Sequence, residues 1–201
     1  MTAAMTRRQL FSRGARGGAV LLVTGTSLAQ FADDAAADPL STADLAYGRL
    51  LVGAELLASD FYTQAVAASN SRPSVMKYLK RAYANEQEHY HSVAGIVSGA
   101  GVTPAVSSDI DYAYPKASFA SQASILELAQ QLETIMLGTY LGAVGGMQSS
   151  SFKQGLAQIA ASEAQHLSYM SAKGGLKPFD GAFPAALTID QASAAMDAFT
   201  S

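Results

Sequence analysis

Six residues of this chain have the types and the spacing of a metal site. The motif Glu-x-x-His occurs twice, and a lone glutamate lies about thirty residues upstream of each copy. On a helix, residues i and i+3 share a face, so each motif can direct a carboxylate and an imidazole at one point. The chain has only six Glu and three His, which makes two chance matches an unattractive explanation. The six residues are Glu55, Glu86, His89, Glu133, Glu163 and His166.

Four carboxylates and two imidazoles, brought together by four helices, form the ligand set of a two-metal carboxylate site. Oxygen and nitrogen donors suit Fe(II) or Mn(II), and glutamates can bridge two cations and offset their charge. Two such metals can share two-electron chemistry on O2 or H2O2. Without metal, four buried carboxylates would repel one another. We therefore predict two bound metal ions; the alternative is a set of solvent-facing Glu and His on an ordinary bundle.

The pattern of apolar and turn residues predicts four long helices that carry these side chains. The third helix is expected to start at Ser121, or at Ser124 with Glu127 completing a capping box. Residues 102–120 hold two Pro, several Ser and two Asp, which favours a long connection. Short, long and short loops are typical of two helical hairpins joined by a crossover. The predicted helices are about 42–68, 73–99, 121–146 and 151–173.

An internal repeat supports the two-hairpin arrangement. A shift of 78 residues takes Glu55 to Glu133 and Tyr62 to Tyr140, and a shift of 77 takes the first motif to the second. The hairpins would then be related by a pseudo-twofold axis at which the ligands meet. Tyr62 and Tyr140 each follow their lone glutamate by two turns. They can hydrogen-bond a ligand or act as a redox relay; the alternative is a core aromatic with a satisfied hydroxyl.

The N-terminal segment, residues 1–37, has the features of a cleaved export signal. A twin arginine, Arg7-Arg8, precedes an apolar run over 17–29, and Ala35-Ala36-Ala37 offers a cleavage site. The order Leu10-Phe11 departs mildly from the usual twin-arginine pattern. The alternatives are a basic tail or a membrane anchor. We expect a bacterial protein that is exported folded to the periplasm, cell envelope or medium and that meets the membrane only during export.

Composition excludes several classes of function. The net charge of −3 and the absence of a dense Lys/Arg run argue against a nucleic-acid partner. The chain has no Cys, which excludes disulfides, thiolate zinc sites and a rubredoxin-type iron centre. Any bound metal would therefore have oxygen and nitrogen ligands.

At its four glutamates and two histidines the chain resembles the ferritin-like superfamily, specifically its exported bacterial members, over about residues 42–174. The resemblance implies an all-α, ferritin-like four-helix bundle with two irons or two manganese ions. It implies that Glu55 serves one metal with Glu86 and His89, and that the second half supplies the other metal in the same way. It further implies that Glu86 and Glu163 bridge the two ions.

Two residues distinguish this chain from related classes of ferritin-like protein. The peroxide-reducing rubrerythrins carry a further glutamate where this chain has Met136, and bacterioferritins carry a haem-ligating Met where Gln87 stands. No haem is therefore expected. Manganese catalases resemble the same ligand arrangement, so the choice between iron and manganese stays open. We read Met136, Met147 and Met170 as core residues.

The sequence thus predicts an exported di-metal carboxylate protein, with iron favoured, that reacts Fe(II) with O2 or H2O2 and protects against oxidative stress. The alternatives are peroxide disproportionation like that of manganese catalase and a non-catalytic, desiccation-related bundle with a structural metal. The bundle is expected to occupy residues 38–175. The tail, 176–201, is expected to pack on the bundle or on a second subunit of a homodimer, with one short helix over 190–198. Its apolar residues are Phe179, Phe183, Leu187 and Phe199.

Overall fold

The structure is a computed structural model that describes residues 40–178 and 181–201. Over this part of the chain it is all-helical, with two single turns of 3-10 helix at Ser107–Asp109 and Asp197–Phe199 and no strand. The predicted export signal and Phe179 lie outside the described residues. The helices are α1 Thr42–Ala68, α2 Pro73–Gly99, α3 Gln122–Gly146, α4 Ser150–Gly174 and α5 Ile189–Met196.

The helix ends follow from local chemistry. The Ser41 hydroxyl accepts a hydrogen bond from the backbone N–H of Asp44 at the start of α1, and Pro73 lies in the first turn of α2, where its missing N–H costs nothing. Ser121 caps α3 in a reciprocal capping box with Ser124. The alternative start at Ser124 with Glu127 is wrong, because Ser124 already belongs to the first turn of the helix.

The long helices pack as two hairpins. Helix α1 lies along α2, and α3 lies along α4, while residues 100–121 cross from one hairpin to the other. This confirms the predicted bundle of two hairpins joined by a crossover. The core between the helices is apolar and closely packed. Its fully buried residues include Leu51, Leu79, Ile125, Leu156, Met136, Met147 and Met170.

A buried aspartate ties the two hairpins together at one end. The carboxylate of Asp44, only 2% exposed, accepts hydrogen bonds from the backbone N–H groups of Gln148 and Ser149, at 2.6 and 3.0 Å. These donors lie in the turn between α3 and α4 and have no helical partner of their own. The long-range partner of Asp44 could not be predicted from the sequence.

The C-terminal segment lies on the outer face of α3. The backbone N–H of Leu187 donates to the carbonyl oxygen of Gly138 at 2.9 Å, and a short helix, α5, follows over Ile189–Met196. The residue before the C-terminus pairs with the crossover through an isolated bridge between Tyr112 and Thr200. Phe199 is buried, whereas Phe183 is 92% exposed on this single chain, so its packing against a second subunit stays a prediction. Among the described helices, none is long and apolar enough to cross a membrane.

Candidate metal centre

The six predicted residues meet in the middle of the bundle. Glu55 comes from α1, the first motif from α2, Glu133 from α3 and the second motif from α4. The four carboxylates are each at most 2% exposed. The side chain of His166 is 3% exposed and that of His89 is 12% exposed. Four helices therefore contribute one polar cluster to an otherwise apolar core.

The cluster divides into two overlapping groups of four residues. In each group one donor atom from every residue lies within 4.8 Å of the others. The first group adds Glu55 and His89 to a shared pair, and the second adds Glu133 and His166. The shared pair is Glu86 and Glu163, the two motif glutamates. Each of them has two carboxylate oxygens, so this pair can contact two cations at once.

The two imidazoles face the shared pair from opposite ends. Nδ1 of His89 lies 2.9 Å from Oε1 of Glu163 and 3.2 Å from Oε2 of Glu86. Nδ1 of His166 lies 2.9 Å from Oε1 of Glu86 and 3.4 Å from Oε2 of Glu163. The lone glutamates are farther away, at 3.8 Å for Glu55 to His89 and 3.6 Å for Glu133 to His166. Each histidine thus pairs with the lone glutamate of its own hairpin.

Several buried atoms of this cluster have no hydrogen-bond partner among the described residues. Nδ1 of His166 and Oε1 of Glu86 are both without a hydrogen-bond partner, although only 2.9 Å separates them. Unpartnered polar atoms in a buried core cost free energy, and cations between them would remove that cost. The cluster therefore fits metal ions bound by oxygen and nitrogen. The unpartnered atoms are Oε2 of Glu55, Oε1 of Glu86, Oε2 of Glu133, both carboxylate oxygens of Glu163 and Nδ1 of His166.

Without metal, the pKa values of five cluster residues are shifted from their ordinary values. Burial lowers the pKa of both imidazoles, but the surrounding carboxylates outweigh it and raise the pKa of His89 to about 11 and that of His166 to about 12. Burial, with the charge of neighbouring carboxylates, raises the pKa of Glu55 and of Glu133 well above the usual range. Burial also acts to raise the pKa of Glu163, but its close contacts with the imidazoles of the two histidines lower it to about 2.

The two predicted tyrosines contact the lone glutamates of the opposite hairpin. The hydroxyl of Tyr62 on α1 donates to Oε1 of Glu133 on α3, and the hydroxyl of Tyr140 on α3 donates to Oε1 of Glu55 on α1. Both tyrosines are fully buried. These bonds fit both alternatives, a tyrosine that holds a ligand in place and a core aromatic with a satisfied hydroxyl, and a role in catalysis stays a prediction.

Asn85 is a site residue that sequence analysis missed. Its side-chain amide lies 3.1 Å from Nε2 of His166, the ring nitrogen that faces away from the cluster. The amide nitrogen Nδ2 is the atom that faces Nε2, so as placed the amide donates to the ring. If Nδ1 binds a metal and Nε2 carries the proton, the amide must turn over so that its oxygen accepts from Nε2, and this bond then fixes the orientation of the ring. The available signal was the place of Asn85 directly before Glu86, one residue outside the motif.

The remaining polar residues of the motifs do not join the cluster. Glu88 and His91 are exposed on α2. Gln87 is half-buried, and its amide donates to the hydroxyl of Ser59 at 2.9 Å. The positions on the helices therefore direct the six side chains into the cluster and these neighbouring polar side chains away from it.

Comparison with protein families decides the identity of this bundle. The model of the family described as "Ferritin-like domain" matches residues 43–173, which is most of the chain. The chain belongs to the ferritin-like domain family. The match spans α1 to α4 and includes all six cluster residues. Comparison with curated proteins gave no match. In this ferritin-like domain, the buried Glu/His cluster lies where the four long helices meet.

Proposed function

We propose that this ferritin-like domain protein is a di-metal oxidoreductase, with iron the favoured metal, that reacts Fe(II) with O2 or H2O2. The observation that carries the proposal is the pair of overlapping four-residue groups that share Glu86 and Glu163. A structural site for one ion needs a single group. Two groups with two shared, two-oxygen ligands support a pair of neighbouring ions.

The residues would hold the ions in two similar halves. Glu55 and His89 would bind one ion and Glu133 and His166 the other, while the motif glutamates contact both. When bound, the pair of metals would supply two-electron redox chemistry on O2 or peroxide. The cross-hairpin tyrosine bonds to Glu55 and Glu133 would keep the lone carboxylates in place as their coordination adjusts.

Access to the centre is proposed to run past His89. Its side chain is 12% exposed, against 3% for His166 and 2% or less for the carboxylates. The 77-residue repeat relates Ser162 to Asn85, the residue that contacts His166. The smaller side chain favours the His89 side as the entrance for Fe(II), O2 or H2O2.

We further propose that the protein works outside the cytoplasm. The twin arginine, apolar run and Ala-rich site in residues 1–37 support export through a route used by proteins that fold and load cofactors first. Protection against oxidative stress at the cell envelope would follow from removing Fe(II) and peroxide together.

The metal content of the full-length chain tests the proposal. Purified without chelators from a host that exports it, the protein should contain about two iron or manganese ions per chain. It should then oxidise added Fe(II) or consume H2O2 over many turnovers. Manganese with fast peroxide disproportionation and no reductant would instead favour catalase-like chemistry. Absence of metal, with no rise in melting temperature on adding Fe(II) or Mn(II), would contradict the proposal and indicate a helical scaffold without metal chemistry.

A matched pair of variants separates the site from the fold. Glu86→Gln keeps the size of a shared ligand and removes its charge, so it should lose most bound metal and turnover while staying helical. Glu88→Gln makes the same change two residues away, on the exposed face of α2, and should change neither. Equal metal content in both variants would contradict the proposed function.

A further inference from the structure

Two tyrosines form a stacked pair that leads from the cluster to the protein surface. The rings of Tyr78 on α2 and Tyr169 on α4 are parallel within 6°, with centroids 3.5 Å apart. The edge of Tyr78 also meets the ring of His166, at a centroid distance of 6.1 Å and an angle of 88°. Both tyrosines are half-buried and so remain in contact with solvent. The aromatic contact is therefore continuous from a predicted metal ligand to water.

Hydrogen bonds hold this pair between the two helices. The hydroxyl of Tyr78 donates to the backbone oxygen of Gln165 on α4 at 3.3 Å, and that of Tyr169 donates to the backbone oxygen of Ser74 on α2 at 3.2 Å. Each ring is anchored on the opposite helix, so the stack is fixed rather than one of many rotamers. Its geometry is suited to electron transfer, which depends on short and constant distances between aromatic rings.

The stack occurs on one side of the bundle only. Shifting by the 77 residues that relate the two motifs takes Tyr78 to Gly155 and Tyr169 back to Ser92. The other half of the bundle therefore packs α4 against α2 with small residues at these places. A requirement of the fold would apply to both halves, so the one-sided stack calls for another reason.

We propose that Tyr169 and Tyr78 form an electron path that carries single electrons from a reductant at the surface to the centre beside His166. This inference rests on the proposed function, since the centre must take up electrons after reacting with peroxide. It adds a second entrance to the molecule: small oxidants reach the centre past His89, and electrons reach it through the tyrosines.

The charges around the stack indicate the class of the reductant. The Lys173 ammonium lies 5.5 Å above the Tyr169 ring, and Arg81 lies one helical turn after Tyr78 on α2. Both residues are exposed. A small anionic one-electron donor, for which ascorbate is a suitable probe, would be attracted to these cations and reach the outer ring.

The transfers balance in electrons and protons. Tyr78 gives one electron to the centre and its phenol proton to water. Tyr169 then reduces Tyr78, which recovers a proton from water while Tyr169 loses its own. Ascorbate returns one electron and one proton to Tyr169. Two such cycles deliver the two electrons and two protons that convert one H2O2 into two molecules of water, and both tyrosines end as they began.

The electron path is tested by locating the tyrosine to which a radical trap binds. The full-length protein, loaded with Fe(II), is treated with H2O2 and a nitroso radical trap, and trapped tyrosines are located by peptide mass spectrometry. Tyr169 should carry several-fold more trap than Tyr83, which is 36% exposed on α2 and reports radicals that diffuse in solution. Ascorbate should abolish the Tyr169 adduct, and Lys173→Glu should raise the ascorbate concentration needed.

Tyrosine-to-phenylalanine variants test the order in which the two tyrosines transfer the electron. Tyr78→Phe keeps the ring stack and the metal content but removes the oxidisable phenol, so the Tyr169 adduct should fall to the level of Tyr83. Tyr169→Phe should move the adduct to Tyr78, and Tyr83→Phe should leave the Tyr169 adduct unchanged. Equal Tyr169 labelling in the wild type and in Tyr78→Phe, or labelling no higher than that of Tyr83, would overturn the path.

The same samples distinguish failure of the path from failure of the proposed function. Metal content and peroxide consumption are measured before the trap is analysed. Normal metal content and consumption without a Tyr169 adduct would overturn the electron path alone. A wild-type protein that binds no metal and consumes no peroxide would overturn the proposed function, and the path would fall with it.

Discussion

The hydroxyl of Tyr62 donates a hydrogen bond to Glu133, although the two residues belong to different hairpins. Tyr140 makes the reciprocal bond to Glu55. Each lone glutamate therefore depends for its position on the helix that carries the other one. Because the bonds cross the bundle in both directions, they couple the packing of the two hairpins to the geometry of the centre.

Tyr62→Phe should weaken both the fold and the centre. The change leaves an oxygen of Glu133 without its donor in the core, which typically costs about 1–3 kcal/mol in the free energy of unfolding. Metal affinity should fall as well, since the carboxylate loses its fixed orientation. Chemical denaturation of the metal-free protein and a metal titration measure the two effects. Tyr83→Phe, on an exposed part of α2, should change stability by less than about 0.5 kcal/mol.

Asn85→Ala should lower metal affinity without unfolding the bundle. The amide of Asn85 contacts only the outward nitrogen of His166, so its loss frees the ring to rotate while leaving every predicted ligand present. Removing such a partner commonly costs about 10–100-fold in metal affinity. Competition with a chelator of known affinity measures the loss. Ser162→Ala, at the position that the 77-residue repeat relates to Asn85, is the matched control and should have the smaller effect.

The convergence of the six cluster residues could be predicted because helices convert sequence spacing into position. The i to i+3 spacing places Glu86 and His89 on one face, and repetition after 77 residues implies a second such face. The scarcity of Glu in the chain leaves few competing choices. The same periodicity, with Pro73 and the capping serines, located the helix ends to within one or two residues.

Contacts between distant elements could not be read from spacing. Three such contacts depend on how the helices rotate against one another. They are the bond from each tyrosine to the opposite hairpin, the bonds of Asp44 to the turn after α3, and the contact of Asn85 with His166. The exposure of Phe183 has the same origin. An apolar residue in a loop is buried only if the chain around it follows a path that brings it to the core.

Metal affinity should rise steeply with pH. In the metal-free protein the pKa values of His89 and His166 are raised to about 11 and about 12, so both imidazoles are protonated at neutral pH. Metal binding requires them neutral and requires Glu55 and Glu133 ionised, so binding releases protons and weakens as pH falls. Calorimetric titration with Mn(II) at pH 6 and pH 8, in buffers of different ionisation enthalpy, measures this release. Binding without proton release would contradict the charge arrangement described for the centre.

Gly142→Ala should detach the C-terminal segment from α3. A Cβ atom at Gly142 would lie 1.8 Å from the backbone oxygen of Leu187, a contact that neither a side-chain rotation nor a small shift can relieve. Since overpacking of this kind costs typically about 1–3 kcal/mol, the melting temperature should fall. Limited proteolysis should then cut residues 176–187 first, while the metal content stays near the wild-type level because the segment supplies no ligand.

Gly145→Ala separates this steric effect from the removal of a helical glycine. An added Cβ at Gly145 meets nothing within 4 Å, and alanine is favoured over glycine inside a helix by up to about 1 kcal/mol, so this variant should be as stable as the wild type or more so. If Gly142→Ala behaves like Gly145→Ala, the segment is not held against α3 in solution. Opposite shifts in melting temperature would instead place the Leu187 backbone directly on the helix that carries Glu133 and Tyr140.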